Sequence, residues 1–413
     1  MPRTHAAVMN LFTVALVALL AATGCKKEET PRADADFYKK VQEQLIKARP
    51  GAVIELPEGR FHLDRSLSSL VNGVTIRGKG MDKTILSFKG QKQGAEGLLL
   101  KGNGITLEDF AIEDPKGDAI KVNGADGLVI RRVRAEWTGG PKSTNGGYGL
   151  YPVQCKNVLI EDSVAIGASD AGIYVGQSEH VVIRRNKVMR NVAGIESENT
   201  KYADIYENTA TENTGGILVF DLPDLPVKGG RSTRVFNNEV FANNTDNFAP
   251  EGNIAATVPP GTGIMLLATD HVEVFNNRLR DNKTMHLVLA SYYVTRKPMN
   301  DKHYDPYPEG IYIHDNTFVG GGDSPSGLLV KLLALKLGKP FPDILYDGIV
   351  NPKKLTAQGT LPDELKVCIR NNGDADFANA DAWNDFANIT RDLAPHDCTL
   401  TGPEPVKLTG VEL

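Results

Sequence analysis

This 413-residue chain is poor in cysteine, tryptophan and histidine, with 4, 2 and 8 residues of these types. The cysteines form no CxxC or CxxCH motif, which argues against a thioredoxin-like redox site and covalent haem attachment. His271, His286 and His303 lack the spacing of metal ligands, so no zinc site is expected. The formal net charge of -5 at pH 7 gives no basic surface for a nucleic-acid partner.

The chain also lacks an apolar run long enough to span a bilayer at its N-terminus. The run Leu11–Ala22 is shorter than the ~20 residues that a spanning helix needs. Its basic start and the small residues after it predict a secretion signal over residues 1–25. The end of the run resembles the lipobox of bacterial lipoproteins, although Ala22 stands where that pattern prefers leucine. The resemblance implies lipidation of Cys25; the alternative is ordinary signal cleavage, with Cys25 removed or left free.

Export has consequences for the rest of the chain. Residues 26–36 are polar and predict a tether between the anchor and the fold. The signal and the lipid anchor predict a location in the periplasm or at the outer membrane, with the lipid anchor as the only membrane contact. An oxidising compartment permits a disulfide between Cys368 and Cys398. Two unpaired cysteines are the alternative.

A repeated phrase, V-x-I-x-x-N, dominates what is present. The shortest intervals are 23 residues from Ile160 to Ile183 and 22 from Ile183 to Ile205. Repeats of this length predict a solenoid, and the period-two alternation within each predicts short strands. The aligned apolar residues are Ile76, Leu107, Ile130, Ile160, Ile183, Ile205, Val235, Val274, Ile313 and Ile369.

Asparagine and glycine recur at fixed places in each repeat. Asparagine tolerates left-handed backbone geometry at turns, and asparagines stacked on successive coils can form amide ladders. Gly194, Gly216 and Gly263 are expected at the next bend, where glycine is the easiest residue. One ladder is predicted at Asn186, Asn208, Asn238, Asn277, Asn316 and Asn372, and a second at Asn191, Asn213, Asn243 and Asn282.

These repeats resemble the right-handed parallel β-helix of the pectate-lyase-like superfamily, which includes polysaccharide lyases and alginate epimerases. The resemblance implies an all-β solenoid of about ten coils over residues 51–322. A capping helix is predicted over residues 37–50, with Phe37, Val41 and Leu45 on one face and Ile46 beside them. Residues 323–413 are expected to form a C-terminal extension, with a last coil and a cap over the end of the solenoid.

One strand of each coil is the best place for a functional site. Its inward residues are predicted at Ile120, Leu150, Ile173, Ile195, Ile217 and Ile264. Long loops at 138–149, 243–263 and 291–310 flank this strand, and long loops in compact folds are often functional. A groove is therefore predicted over the outward side chains and two neighbouring carboxylates: Lys121, Tyr151, Tyr174, Glu196, Glu198, Asp170 and Asp221.

Three functions remain open for this groove. The leading hypothesis is a module that binds carbohydrate or another envelope partner through the tyrosine rings. The second is a lyase or epimerase of acidic polysaccharides, with Glu196, Lys121 and Tyr174 as catalytic candidates. The third is a structural envelope protein whose outward residues are merely solvated. No cofactor is expected, although calcium at Glu196 and Glu198 remains an alternative. A similar lipoprotein family implies a cytochrome c-like partner, by resemblance only.

Overall fold

The computed structural model describes residues 31–411, so Cys25 and the predicted signal lie outside the described residues. The strands run parallel in two long sheets of 19 and 11 strands. Each central coil contains three short strands, and every one pairs with its counterpart on the next coil. No helix in the described range is long and apolar enough to cross a membrane.

Two α-helices accompany the strands: α1 (Ala35–Lys47) and α2 (Leu328–Leu337). The strands of the first half are β1 Val53–Glu55, β2 Gly59–His62, β3 Arg65–Ser69, β4 Thr75–Arg77, β5 Thr84–Ser87, β6 Gln93–Lys101, β7 Ile105–Glu113, β8 Ile120–Asn123, β9 Asp126–Glu136, β10 Tyr148–Val153, β11 Lys156–Glu161, β12 Val164–Ile166, β13 Ala171–Gly176, β14 Glu179–Arg184 and β15 Lys187–Met189. Those of the second half are β16 Ala193–Glu198, β17 Lys201–Tyr206, β18 Thr209–Thr211, β19 Gly215–Phe220, β20 Arg231–Phe236, β21 Glu239–Phe241, β22 Thr262–Leu267, β23 Asp270–Phe275, β24 Arg278–Arg280, β25 Met285–Ala290, β26 Glu309–His314, β27 Thr317–Val319, β28 Ile344–Tyr346, β29 Val367–Arg370 and β30 Phe377–Asn379.

The predicted repeat register is confirmed. Ile160 pairs with Ile183 and Ile183 with Ile205, and the pairing continues to Ile369. The first coil lies at the start of the predicted range of residues 51–322, where Ile54 pairs with Ile76. These side chains are buried and form one continuous apolar stack along the axis, which is what holds the parallel coils together.

Both asparagine ladders are present. Asn208 Oδ1 accepts from the backbone N–H and the side-chain Nδ2 of Asn186, each at 3.0 Å, and Asn208 Nδ2 donates to Asn238 Oδ1 at 3.0 Å. The ladder asparagine itself was expected to adopt the left-handed backbone conformation. The residue before it adopts that conformation instead, such as Glu207 with a φ of 55°. The bend thus comes from the preceding residue, while the asparagine satisfies the buried backbone groups.

The bend glycines serve close packing and not unusual dihedral angles. Gly194 does not have a positive φ, and a Cβ there would lie 2.9 Å from Asn213 Nδ2 and from a Val188 methyl group. The expectation that the bend itself requires glycine is therefore wrong. The neighbouring ladder and coil leave no room for a side chain.

The N-terminal helix closes the first end of the solenoid. Val41 and Leu45 of α1 are buried, and Phe37 stacks on Phe61 with ring centroids 3.8 Å apart. Ile46 does not join them, because 68% of its surface is exposed. The helix face with Phe37, Val41 and Leu45 therefore covers the open apolar end of the solenoid.

The C-terminal region departs from the predicted cap. The coils continue through β28, β29 and β30, beyond the expected boundary at residue 322. A disulfide joins Cys368 to Cys398. The last residues then run back along the flank of the solenoid, where Val406 and Leu408 cover Val129, Leu159 and Val182. This packing removes the outward apolar side chains of that flank from water.

Candidate active site

The predicted outward residues lie on one face of the 11-stranded sheet, in consecutive coils. Lys121 pairs with Tyr151, Tyr174 with Glu196, and Glu196 with Leu218. The face therefore changes character along the axis. It is polar and aromatic over β8 to β16, and apolar from β19 onwards.

The long loops converge over this face. Asn253 in the 243–263 loop donates to Asp170 Oδ2 at 2.9 Å. Lys297 in the 291–310 loop donates to the Gly252 carbonyl at 2.8 Å. Tyr148, at the end of the 138–149 loop, has its ring centroid 4.5 Å from that of Tyr174. All three loops thus contribute to one roof.

The roof buries residues that were expected in an open groove. Tyr174 is 4% exposed, Glu196 1% and Glu198 7%. The alternative that these glutamates are simply solvated is wrong. Tyr174 belongs to a second apolar cluster between the sheet and its roof.

We call Asp170, Glu196, Glu198, Tyr148 and Tyr174 the acid–tyrosine cluster. The Tyr174 hydroxyl donates to Glu198 Oε1 at 2.6 Å. Asp170 accepts from Asn253 and is also hydrogen-bonded by Tyr148. Glu196 Oε2 is buried and has no hydrogen-bond partner among residues 31–411. Buried carboxyl groups with so few donors are costly when ionised, which makes this cluster unusual for a purely structural surface.

Burial changes the protonation of these carboxyl groups. It raises the pKa of Asp170 and of Glu198 to about 7, although hydrogen bonds from Tyr148, Asn253 and Tyr174 oppose the shift. Burial raises the pKa of Glu196 well above its ordinary value, and the neighbouring Asp170 and Glu198 charges add to this effect. The cluster therefore holds protons near neutral pH, the condition suited to acid–base catalysis.

The open end of the cluster carries Lys121 and Tyr151. The Lys121 Nζ lies 4.7 Å from the Tyr151 ring centroid and 3.7 Å from Asp118 Oδ2. Tyr151 packs edge-on against Tyr174 with centroids 4.9 Å apart. Both Lys121 and Tyr151 are half-buried, so this end is where a ligand can first meet the cluster.

Gly176 makes the hydrogen bond between Tyr174 and Glu198 possible. A Cβ at Gly176 would clash with the hydroxyl end of the Tyr174 ring, at 2.5 Å from Cζ and closer still to Cε1. The ring therefore lies flat along its own strand, over the glycine, and points its hydroxyl at Glu198 on the next coil.

Sequence reasoning missed Tyr148, Asn253, Asp118 and Gly176. Simple alternation puts residue 148 on the inward face with Leu150, yet its ring centroid lies 4.4 Å from that of Tyr151 on the outer face. Asn253 belongs to a long loop whose path no pattern predicts. Asp118 was detectable, since it stands three residues before Lys121.

Asp221 lies beyond the cluster, at the end of β19. Its Oδ1 accepts from the Gly230 backbone N–H at 2.6 Å, and its carbonyl accepts from the Tyr304 hydroxyl at 2.6 Å. Burial raises its pKa to about 7. These contacts give Asp221 a role in fixing the 221–230 and 291–310 loops.

A second acidic group lies farther along the chain. Oxygens of Asp270, Asp305 and Glu309 come within 4.8 Å of one another, a spacing suited to a cation. Lys354 already supplies a positive charge there, since its Nζ contacts Asp305 at 2.7 Å and also Glu309. Glu196 and Glu198 do not belong to this group of three, and calcium at these two residues stays a prediction.

A cavity of about 650 Å³ continues the same face over the apolar coils. Met265, Met285 and Val288 of the sheet form its floor, and Val330 and Leu333 of α2 form part of its wall. The cavity is thus displaced along the axis from the acid–tyrosine cluster.

Comparison with known proteins agrees with this architecture. The family described as the right-handed beta helix region matches residues 96–323. This chain belongs to that family. The comparison with curated proteins found no match.

Solved structures are similar to this chain at low identity. The A-module of mannuronan C-5 epimerase AlgE4 from Azotobacter vinelandii is 16% identical, covers 85% of this chain and 93% of its own, and superposes with a TM-score of 0.55. The DFA-IIIase of Arthrobacter chlorophenolicus A6 is 12% identical, with coverages of 84% and 88% and a TM-score of 0.45. The similarity to the AlgE4 module establishes the fold alone, so the function of this β-helix protein has to be argued from its own residues.

Proposed function

We propose that this protein is a carbohydrate-active enzyme that cleaves glycosidic bonds by acid–base catalysis at the acid–tyrosine cluster. The observation that carries the proposal is the burial of Asp170, Glu196 and Glu198 against tyrosines, on a face where the coil needs no charge. Titratable groups perturbed by burial and by one another are typical of catalytic sites.

Each acid has a distinct role in this proposal. Glu198, held by Tyr174, is the general acid that protonates the leaving oxygen. Asp170, held by Tyr148 and Asn253, is the carboxylate that activates water or attacks the sugar. Burial raises both pKa values to about 7, so the two carboxyl groups gain and lose protons near neutral pH, as an acid and a base must. Glu196, protonated, donates to a sugar hydroxyl.

The charge of the cluster favours a neutral glycan. Three carboxyl groups line it, and the Lys121 cation is engaged by Asp118. A uronate carboxylate would meet repulsion from the ionised acid and little compensation. The Tyr151 ring at the open end offers a stacking platform for a sugar.

The second candidate is elimination or epimerisation of an acidic polysaccharide. Lys121 over Tyr151 supports it, because a lysine beside a tyrosine can neutralise a uronate while the tyrosine moves a proton. The AlgE4 module, whose name describes a mannuronan epimerase, shares the fold at 16% identity. The raised pKa of Tyr151, about 12, weighs against this candidate, since it disfavours the phenolate base.

The location and partners are also proposals. An anchor at Cys25 would hold the enzyme at a membrane of the cell envelope, with its site facing envelope glycans. A cytochrome c-like partner rests on family resemblance alone, and pull-down from envelope extracts with the Cys25→Ser protein tests it.

A glycan panel tests the activity directly. Purified protein is incubated with neutral glucans, fructans and mannans and with alginate and pectate, and products are measured as new reducing ends, ultraviolet-absorbing unsaturated ends and epimer ratio. We expect reducing ends without unsaturation, lost in Glu198→Gln and Asp170→Asn and retained in the exposed control Glu207→Gln. Unsaturated ends or a changed epimer ratio would support the second candidate instead. Binding without product would leave the carbohydrate-binding module.

A further inference from the structure

Helix α2 exposes an apolar face that the solenoid does not use. One side of α2 is buried in the second apolar cluster, through Val330, Leu333, Ala334 and Leu337. On the other side, Leu328 is 79% exposed, Leu332 55% and Leu335 83%. These three leucines stand at helical spacing and form one stripe. A monomeric soluble protein rarely presents such a stripe without a partner.

The charges around this stripe are positive. Lys331 and Lys336 lie on the helix and Lys339 follows it, all exposed, and the chain has no acidic residue between Asp323 and Asp343. Lys336 Nζ donates to the backbone carbonyls of Asp385 and Phe386, and Asp385 is itself exposed. This basic, apolar surface stands out on a chain with a net charge of -5.

An exposed tryptophan extends the surface. Trp383 is 62% exposed, and it lines the same 650 Å³ cavity as Leu328 and the exposed Arg296. Leu328, which begins the leucine stripe, therefore lines the same cavity as Trp383 and the Arg296 cation. Tryptophan with flanking lysines is the composition of segments that lie at a membrane–water interface.

The length of α2 decides how it can meet a membrane. Ten residues of helix extend about 15 Å, half of the ~30 Å hydrocarbon core, so α2 can lie on a bilayer and cannot cross it. The lysines complement the anionic headgroups, and binding moves the leucine side chains from water into the bilayer.

We propose that Leu328, Leu332, Leu335 and Trp383, flanked by Lys331, Lys336 and Lys339, dock this protein on an anionic lipid bilayer. The contact is separate from the acid–tyrosine cluster and from any lipid on Cys25. It would turn an enzyme or binder held by a flexible tether into one with a fixed orientation on the membrane.

Vesicle flotation of the full chain tests the proposal, with Cys25→Ser in every variant so that lipidation cannot contribute. We expect co-flotation with vesicles of equal parts phosphatidylglycerol and phosphatidylcholine, and weaker binding to phosphatidylcholine alone. Replacing the three leucines by glutamine should weaken binding roughly tenfold or more, because their side chains no longer leave water. The matched control carries Ile46→Gln, Leu70→Gln and Val319→Gln, at exposed apolar positions elsewhere, and should bind like the parent.

Tryptophan fluorescence supplies an independent measurement. Trp137 is buried and its indole N–H donates to the Pro115 carbonyl at 2.8 Å, so it does not meet lipid. A blue shift on adding anionic vesicles, absent in Trp383→Phe, is expected. Equal flotation of the leucine and control variants, or an unchanged emission, would overturn the proposal. So would a lipid-free dimer that only the leucine variant dissociates, because the stripe would then belong to an interface between copies.

Discussion

Glu198→Gln isolates one buried carboxyl group without removing its contact. The glutamine Oε1 can still accept the Tyr174 hydroxyl, which now lies 2.6 Å from Glu198 Oε1. What disappears is the titration. Any change in how stability depends on pH then reports on the protonation of Glu198 in the folded protein.

The sign follows from the raised pKa. Burial holds the Glu198 pKa at about 7 in the folded protein, against 4.5 in the unfolded chain. Between these values the folded state binds the extra proton, so its stability falls as the pH rises through this window. At about 1.4 kcal/mol per pKa unit, Glu198 alone removes on the order of 3 kcal/mol between pH 4.5 and pH 8.

Urea unfolding at pH 5 and pH 8, followed by circular dichroism, measures this difference. The parent should be more stable at pH 5, with Asp170 and Asp221 acting in the same direction. In Glu198→Gln the drop should shrink by roughly 3 kcal/mol. The control Glu207→Gln removes an exposed glutamate and should keep the parental slope. If both variants follow the parent from pH 5 to pH 8, Glu198 is ionised in the folded protein and the acid role proposed for it fails.

Three other substitutions test separate parts of the structure. Asn208→Leu leaves the amide groups of Asn186 and Asn238 without their hydrogen-bond partner. The free energy of unfolding in urea should therefore fall by about 2–5 kcal/mol. An unfolding midpoint equal to that of the parent would contradict the ladder. Gly176→Ala should displace the Tyr174 ring and lower turnover while the coil still folds. The control is Gly229→Ala, because φ there is 74° and no atom lies within 4 Å of the added methyl group. It shows the effect of backbone strain alone. Cys25→Ser should abolish labelling by radioactive palmitate in cells and move protein from the membrane to the soluble fraction, apart from what α2 retains; undiminished labelling would rule out Cys25 as the lipidation site.

The acid–tyrosine cluster shows how far sequence reasoning reached. Alternation about Ile173 and Ile195 correctly placed Tyr174, Glu196 and Glu198 on the outer side of one strand, in adjacent coils. It could not predict that they are buried. Burial depends on Asn253 and Lys297, which come from loops whose lengths are visible in the sequence but whose paths are not.

The sequence by itself determined the stacking of this protein. Apolar residues at period two and asparagines at a fixed distance after them leave parallel coils as the one arrangement that satisfies both the core and the buried amides. Tertiary structure alone decided the chemistry. Whether a glutamate on the outer face is a solvated charge or a proton donor near pH 7 depends on the loops packed over it, because desolvation by distant segments, and not the identity of the residue, sets its pKa.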